Sequence, residues 1–341
     1  MNNFILKNEN AIYYECGYSC DNVIYLNLGK ESFFITDARY TIEAQDHVKN
    51  AKVIESSNLI EAAQKVIKKS KVKKIIFDGN DFSYDSFTKL TEKLKAKFVN
   101  EPSFSQKKRM IKSDDEITIL HKAAKLGRQG FKEFAKYVRK NGFEATEKFL
   151  FFKATEKMSQ VGKLGLSFEP IVAINANAAK PHALPTGKKL HKDDLLLMDA
   201  GVKYKRYCSD RTCVSHVDFE HFNFKREQTF KKKKHQKIYD IVLKAQLNAI
   251  DNARVGMKAS EIDNLTRSII EEAGFGKEFV HSTGHGVGLD IHEYPFINSK
   301  SDVIIEDNMV FTIEPGIYLP NEFGVRIEDT VAMINGKAVI L

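Results

Sequence analysis

The stretch LLLMDAGVKYKRYCSDRTC, residues 195–213, has two β-forming arms around a short polar turn and carries one aspartate in each arm. We predict a hairpin with its tip between Tyr204 and Lys205, which sets Asp199 opposite Asp210. Two carboxylates that face each other across apolar strands are destabilising unless a cation lies between them. The stretch therefore indicates either a different register or a bound metal, although strand-end aspartates that point to water would explain a single such pair.

A second stretch, VFTIEPGIYLPNEFGVRIEDTV at residues 310–331, repeats this arrangement. A turn centred on Asn321 puts Glu314 opposite Glu328. Pro315 favours an extended backbone at the residue before it, so we expect the Glu314 carboxylate to lie on a buried strand. A buried carboxylate without a partner is costly, and a cation removes that cost.

Between the two stretches lies HSTGHGVGLDIHE, residues 281–293, with His281, His285 and His292 among glycines. Three histidines within twelve residues, beside four acids, favour a metal site over isolated surface histidines. One imidazole with four carboxylates forms an oxygen-rich ligand set, which suits Mn(II), Fe(II), Co(II) or Zn(II). Because four carboxylates balance the charge of two divalent cations, we predict a dinuclear centre.

The rest of the chain predicts two domains in an α+β arrangement. Its 341 residues, 43% hydrophobic and 29% charged, have an ordinary globular composition. Residues 1–105 combine short strands and helices and predict a smaller α/β domain, and residues 106–112 form a polar linker. A capping box of Ser113 and Glu116 opens a long amphipathic helix that we expect to stop at Gly142. This helix begins the second domain, residues 113–341, where two helix pairs alternate with strand pairs.

Composition also excludes several classes of protein. No apolar run reaches the length of a membrane helix, and the start of the chain lacks an export signal, so we expect no membrane partner and a cytoplasmic location. Four cysteines are too few for a disulfide scaffold. The net charge of +8 is local, because residues 225–237 hold seven cationic side chains against Glu227 alone. We interpret this lysine run as the solvated start of a helix rather than a nucleic-acid site.

The ordered motifs resemble the pita-bread metallopeptidases, in particular the branch of Xaa-Pro aminopeptidases and prolidases. The similarity rests on PHALPT, LLLMDAG, YCSDRT, HSTGHGVGLDIHE, TIEPGIY and GVRIED, which together span most of residues 113–341. ITDARY and RMIKSDDEI resemble the creatinase-type N-terminal domain and the start of the catalytic domain. The resemblance implies a C-terminal pita-bread fold and an Xaa-Pro aminopeptidase that acts on short proline-containing peptides; a prolidase is the alternative.

Carried over to this chain, the resemblance makes Asp199 a ligand of one metal ion and His285 and Glu314 ligands of the other. Asp210 and Glu328 would bridge the two ions, with Mn(II) as the expected metal. A hydroxide between the ions would attack the scissile carbonyl. Glu314 would also shuttle a proton to the leaving prolyl nitrogen.

Other matched residues would surround this centre. The resemblance implies that His182, His281 and His292 are catalytic, since they would bind the peptide carbonyls and the tetrahedral intermediate. Tyr318 and Arg326 would orient the metal-binding carboxylates. It also implies a homodimer.

Two segments depart from the family pattern. Residues 210–213 read DRTC where the family often has Asp-x-Thr-Arg, so a familiar arginine is missing or displaced to Arg211. Residues 174–176 read INA where a Ser-Gly pair is common. We interpret Cys208 and Cys213 as packing residues rather than ligands. A non-catalytic peptide-binding module would have lost a ligand, as would a metal-free creatinase-like hydrolase, and all five ligand positions are kept here.

Overall fold

The computed structural model describes residues 3–341, and the chain divides into two compact units, Met1–Arg109 and Met110–Leu341. In the first unit the helices are α1 (Glu9–Cys16), α2 (Thr41–His47), α3 (Leu59–Ser70), α4 (Tyr84–Thr91) and α5 (Phe104–Lys108). Its strands are β1 (Phe4–Leu6), β2 (Val23–Asn27), β3 (Ser32–Thr36), β4 (Lys52–Glu55), β5 (Lys74–Phe77) and β6 (Lys97–Asn100).

These six strands form one sheet in the order β4-β3-β2-β1-β5-β6. Successive residues of its central strands enter different apolar clusters: Phe4 and Leu6 pack in one, and Ile5 in the other. Because side chains alternate across a strand, this division shows that both faces of the sheet are covered.

The second unit is built around two helix pairs. They are α6 (Asp114–Asn141) with α7 (Glu147–Met158), and α8 (Lys233–Asn252) with α9 (Ala259–Glu272). The predicted capping box is confirmed, since Ser113 and Glu116 exchange hydrogen bonds at the start of α6, and Gly142 ends that helix. Within residues 3–341 no helix is long and apolar enough to cross a membrane.

The strands of this unit form four sheets. They are β7 (Gly165–Leu166), β8 (Ile171–Ile174), β9 (Leu195–Asp199), β10 (Val202–Tyr204), β11 (Tyr207–Cys208), β12 (Thr212–His216), β13 (Gly284–Gly286), β14 (Glu293–Ile297), β15 (Val310–Ile313), β16 (Gly316–Leu319), β17 (Phe323–Arg326), β18 (Asp329–Ile334) and β19 (Lys337–Ile340). The sheet orders are β12-β9-β8, β11-β10-β7, β14-β13-β15-β18-β19 and β16-β17.

Strand β9 explains why its sequence is apolar without alternation. Leu196 and Met198 pack in the cluster that contains α6 and α7, whereas Leu195 and Leu197 pack in the cluster that contains α8. A strand buried on both faces requires apolar residues at every position. Asp199 is the last residue of this strand, so its carboxylate is carried by a segment held from both sides.

The register predicted for residues 195–213 is wrong. Asp199 pairs with Thr212 rather than with Asp210, and Tyr204 pairs with Tyr207. The turn is centred on Lys205 and Arg206, both with positive φ, and not between Tyr204 and Lys205. Two positive-φ residues define a type I′ turn, for which Asn-Gly is the usual signal, so Lys-Arg gave no indication of its position.

The register predicted for residues 310–331 is confirmed on both sides of the acids. Gly316 pairs with Arg326 in the β16–β17 hairpin, and Ile313 pairs with Asp329 in the β15–β18 ladder. Glu314 and Glu328 occupy the breaks between these two ladders. They therefore stand opposite each other where the chain passes from one sheet to the next.

The lysine run is placed differently from the prediction. Helix α8 starts only at Lys233, so residues 225–232 form an irregular segment before it rather than its first turns. Lys231 pairs with Asp193, and Lys234 pairs with Glu322. Part of the run's charge is thus balanced by acids of the same unit.

Candidate metal centre

Three of the predicted ligands converge directly. One side-chain atom from each of Asp210, His285 and Glu328 lies within 4.8 Å of the other two, and all three residues are buried. Asp210 lies between β11 and β12, His285 on β13, and Glu328 between β17 and β18. The cluster therefore joins segments that are far apart in sequence, at points where strands begin or end.

Glu314 completes this side of the cluster. Its Oε1 lies 3.4 Å from Nε2 of His285 and accepts a hydrogen bond of 3.2 Å from the Thr312 hydroxyl. On the other side of the imidazole, Nδ1 lies 3.1 Å from the carbonyl oxygen of Gly286, so Nδ1 carries the proton. The lone pair of Nε2 thus points toward the carboxylates, which is the orientation that a metal-binding histidine needs.

Asp199 is bound by a guanidinium. Nη2 of Arg326 donates to Oδ2 of Asp199 at 2.5 Å, and Nε of the same side chain donates to the Thr212 hydroxyl at 3.0 Å. The Thr212 hydroxyl in turn donates to Oε2 of Glu328 at 2.7 Å. Arg326 and Thr212 therefore link the carboxylates of Asp199 and Glu328.

Tyr318 and His281 extend this network. Nη1 of Arg326 donates to the Tyr318 oxygen at 2.7 Å, so the phenol must give its own proton to Nε2 of His281, 2.8 Å away. Nδ1 of His281 lies 2.8 Å from the carbonyl oxygen of Ser282. Both ring nitrogens of His281 are thus used within the protein. Burial raises the pKa of Tyr318 to about 12, which keeps it a donor at neutral pH.

The electrostatics of the cluster are strongly unfavourable for four ionised acids. Burial, followed by repulsion from neighbouring carboxylates, raises the pKa of Asp210 and of Glu328 well above the ordinary range. Burial also raises the pKa of Glu314 to about 8. Four carboxylates face one guanidinium, that of Arg326, so the site requires additional positive charge to be ionised at neutral pH.

The donor set fits divalent cations. Oδ1 of Asp199 and Oε1 of Glu328 are buried and have no hydrogen-bond partner within residues 3–341. Unsatisfied carboxylate oxygens beside an imidazole lone pair are the donors that hard and borderline divalent ions prefer. The cysteines play no part in the cluster: all four are free and buried, and burial raises the pKa of Cys208 and of Cys213 to about 12.

The cluster forms the floor of a cavity of about 750 Å³. All eight predicted site residues line it, which places His182, His281 and His292 around the acids. The rings of His285 and His292 lie 4.2 Å apart, centroid to centroid. The remaining wall is largely apolar and includes Phe151, Phe168, Ile171, Leu184 and Phe296. A pocket of this size with a few convergent polar groups is typical of a small-ligand site.

Some supporting residues were not predicted. Thr212 and Thr312 each hold a carboxylate of the cluster, and nothing in their spacing distinguished them from other strand threonines. Arg211 lies 3.5 Å from Asp329, and Arg226 donates to the same carboxylate at 2.5 Å. Two arginines therefore balance Asp329, the residue after Glu328, and Arg226 comes from the lysine-rich segment that no sequence pattern connected with the site.

Comparison with known protein families identifies both units. The profile of Metallopeptidase family M24 matches residues 118–335, and that of the creatinase/prolidase N-terminal domain matches residues 1–111. An uncharacterized peptidase of Bacillus subtilis is 32% identical over 340 residues, covering 98% of this chain and 92% of that protein.

Solved structures agree with these matches. The Xaa-Pro dipeptidase from Bacillus anthracis superposes with a TM-score of 0.90 at 32% identity, covering 99% of this chain and 92% of that one. The X-Pro aminopeptidase from Thermotoga maritima superposes with a TM-score of 0.86 at 29% identity, covering 100% and 95%. The α+β class and the pita-bread fold inferred from the motifs are confirmed. The chain belongs to Metallopeptidase family M24.

Proposed function

We propose that this metallopeptidase is an Xaa-Pro aminopeptidase that works with two divalent ions, Mn(II) first among the candidates. The observation that carries the proposal is the cavity whose floor is the acid and imidazole cluster and whose wall is apolar. Asp199, Asp210, His285, Glu314 and Glu328 would hold the ions. When bound, the ions supply a Lewis acid and a nucleophile at neutral pH.

The chain's own groups then bind the peptide and move the proton. His182 and His292 line the cavity and make no hydrogen bond to another residue among residues 3–341, so their ring nitrogens are available to the peptide carbonyls. His281 acts differently, since Tyr318 and Ser282 occupy both of its nitrogens, and it orients Arg326 through the Tyr318 hydroxyl. Glu314 would take up the proton released by the attacking water and pass it to the prolyl nitrogen as the bond between the carbonyl carbon and that nitrogen breaks.

The charges of the cavity favour an aminopeptidase over a dipeptidase. In an Xaa-Pro dipeptide the proline itself carries the free carboxylate, so a dipeptidase needs a cation close to the scissile bond. Among the described residues that line the cavity, Arg326 is the only lysine or arginine. Its guanidinium is already bound to Asp199, Thr212, Tyr318 and the carbonyl oxygen of Pro181. A longer peptide, which has an amide in place of that carboxylate, fits this cavity better.

We predict that an Xaa-Pro-Xaa tripeptide is cleaved faster than the matching Xaa-Pro dipeptide, and that Xaa-Ala-Xaa is a poorer substrate by roughly tenfold or more. The apolar wall fits the proline ring, whose nitrogen has no hydrogen to donate. Steady-state kcat/KM for the three peptides, measured after metal loading, tests both statements. Faster cleavage of the dipeptide would make the protein a prolidase, and equal rates on proline and alanine would make it a general aminopeptidase.

We predict that the lysine run is peripheral to hydrolysis. Replacing Lys231, Lys232, Lys233 and Lys234 together by glutamine removes two surface ion pairs, each worth at most about 1 kcal/mol. Peptide turnover should stay close to that of the unsubstituted protein, because none of the four lines the cavity. Turnover and the unfolding midpoint measured on both proteins test this, and a large loss of turnover at moderate salt would reveal a substrate or partner surface.

We also propose that the protein is cytoplasmic. Four free, buried thiols are expected in a reducing compartment, which supports a cytoplasmic location. We further propose a homodimer, whose mass light scattering would measure directly.

A further inference from the structure

Glu147, the first residue of α7, is a fully buried carboxylate outside the metal centre. Its Oε1 accepts from the backbone N–H of Ile174 at 2.7 Å. Its Oε2 accepts from the side-chain amide of Asn177 at 2.9 Å and from both the N–H and the hydroxyl of Thr186, at 2.8 and 2.5 Å. Four donors therefore converge on one carboxylate, one at Oε1 and three at Oε2.

No cation of the described residues balances the charge of Glu147. Within residues 3–341 no lysine, arginine or histidine forms an ion pair with Glu147, whereas the buried acids Asp199, Asp263 and Glu293 of the same unit each have one. The charge is instead stabilised by the four donors and by the positive end of the α7 dipole. An apolar residue in its place would leave the N–H groups of Ile174 and Thr186 without their acceptor, so the carboxylate is what ties this segment to α7.

All four donors belong to the segment 174–186, which brings His182 to the cavity. The second half of this segment, residues 180–186, has no helix or strand. It is fixed at one end by Arg326, which donates to the carbonyl of Pro181, and at the other by Glu147, which binds Thr186. His182 and Leu184 lie between these two anchors and both line the cavity.

The second helix pair has the same hydrogen-bonding arrangement. Asp263, a buried acid in α9, accepts from the N–H and the hydroxyl of Thr283, at 3.2 and 2.8 Å. Thr283 lies between His281 and His285. In both halves of the unit, then, a buried helix carboxylate binds the N–H and the hydroxyl of one threonine in a loop that carries site histidines. Asp263 also pairs with Arg267, so Glu147 is the one of the two that lacks a cation.

We propose that Glu147 is a positioning residue for catalysis, which sets the place of His182 and of the apolar wall at Leu184 by holding the segment 174–186. This inference rests on the proposed peptidase function. Glu147 does not touch the metal centre, so its removal should change how the peptide is held and leave metal binding intact. A displacement of about 1 Å at a substrate-binding residue lowers the rate by up to about a hundredfold.

The test compares Glu147→Gln with Glu144→Gln, which removes an exposed carboxylate three residues earlier. Glutamine keeps the length of the side chain but turns an N–H₂ donor toward one of the N–H donors. We expect kcat/KM for an Xaa-Pro-Xaa tripeptide to fall about ten- to a hundredfold in Glu147→Gln, with unchanged metal content and no loss in Glu144→Gln. If Glu147→Gln fails to fold, Thr186→Val, which removes a single donor, replaces it.

A double-mutant comparison separates positioning from general destabilisation. If Glu147 acts through His182, then Glu147→Gln should cause little further loss in a His182→Ala background. Equal losses in both backgrounds, or loss of metal, would overturn the proposal. Hydrogen exchange gives a readout without activity: amides of residues 174–186 should exchange faster in Glu147→Gln, and unchanged exchange would also overturn it. An unsubstituted protein that cleaves no peptide would refute the proposed function, while the exchange result would still decide the role of Glu147.

Discussion

Removal of divalent metal with a chelator is expected to lower peptide hydrolysis by about a thousandfold or more, because metal ions contribute several kcal/mol to transition-state stabilisation. The same treatment should also reveal how much the buried acids lower the stability of the metal-free protein. The folded-state pKa of Glu314 is about 8, and those of Asp210 and Glu328 are also raised, whereas unfolded carboxylic acids ionise near pH 4.

The sign of the pH dependence follows from these raised values. Between about pH 4.5 and pH 8 the folded, metal-free chain binds more protons than the unfolded chain, so its stability falls as pH rises through this range. The loss is about 1.4 kcal/mol per pH unit for each carboxyl that stays protonated only in the folded state. The metal-free protein should therefore melt at a lower temperature at pH 8 than at pH 6.

Metal content, peptide turnover and thermal unfolding should be measured at both pH values before chelation, after chelation and after Mn(II) is restored. Restored metal should recover turnover and raise the melting temperature most at pH 8. Full activity at a metal content near zero would contradict the metal-dependent mechanism, and a metal-free stability that rises with pH would contradict the electrostatic description of the cluster.

Glu328→Gln and Asp210→Asn are expected to lower turnover by about a hundred- to ten-thousandfold while the chain stays folded. Both carboxylates lie in the group whose ligand atoms are within 4.8 Å of one another, so each substitution removes charge from the centre of the site. In Glu328→Gln the Thr212 hydroxyl can still donate to the amide oxygen of the new side chain. In the metal-free protein at pH 8, each variant should melt at a higher temperature than the unsubstituted chain, because one repelling charge is gone.

Glu322→Gln is the matched control. It replaces an exposed glutamate that pairs with Lys234 and does not line the cavity. The substitution should change neither turnover nor the metal-free melting temperature appreciably. Normal turnover of Glu328→Gln with full metal content would refute the bridging assignment. If both cluster variants melted at a lower temperature than the unsubstituted protein without metal, the acids would stabilise the metal-free fold rather than destabilise it.

The sequence predicted which residues line the cavity better than it predicted how they pair across the strands. The pairing of Glu314 with Glu328 was predictable because Asn321 and the surrounding apolar residues mark one turn. The pairing of Asp199 was not, because the Lys205-Arg206 turn has a backbone that its sequence does not favour. Asp199 and Asp210 line one cavity all the same, since the burial of β9 on both faces fixes the strand ends independently of that turn.

The residues that support the site were harder to predict for a general reason. Glu147 reads as an ordinary acidic residue at a helix start, which helices favour without any tertiary role. Its importance depends on Thr186, 39 positions away, and no local period links the two. Likewise, the run that begins at Lys225 has the pattern of a solvated helix end, yet Arg226 reaches Asp329. Such contacts arise from tertiary packing, which a single sequence does not encode as a local pattern.

Two glycines near Asp199 and His285 limit how the cavity could be redesigned. A Cβ at Gly201 would lie 1.8 Å from the carbonyl oxygen of Ser209, and one at Gly284 would lie 1.9 Å from that of Thr312. The backbones that carry Asp199 and His285 thus touch their neighbours with no space for a side chain. Libraries aimed at new peptide specificity should leave these strands unchanged. Phe168 and Leu184, which line the cavity from irregular segments, offer positions where side chains can vary without moving Asp199 or His285.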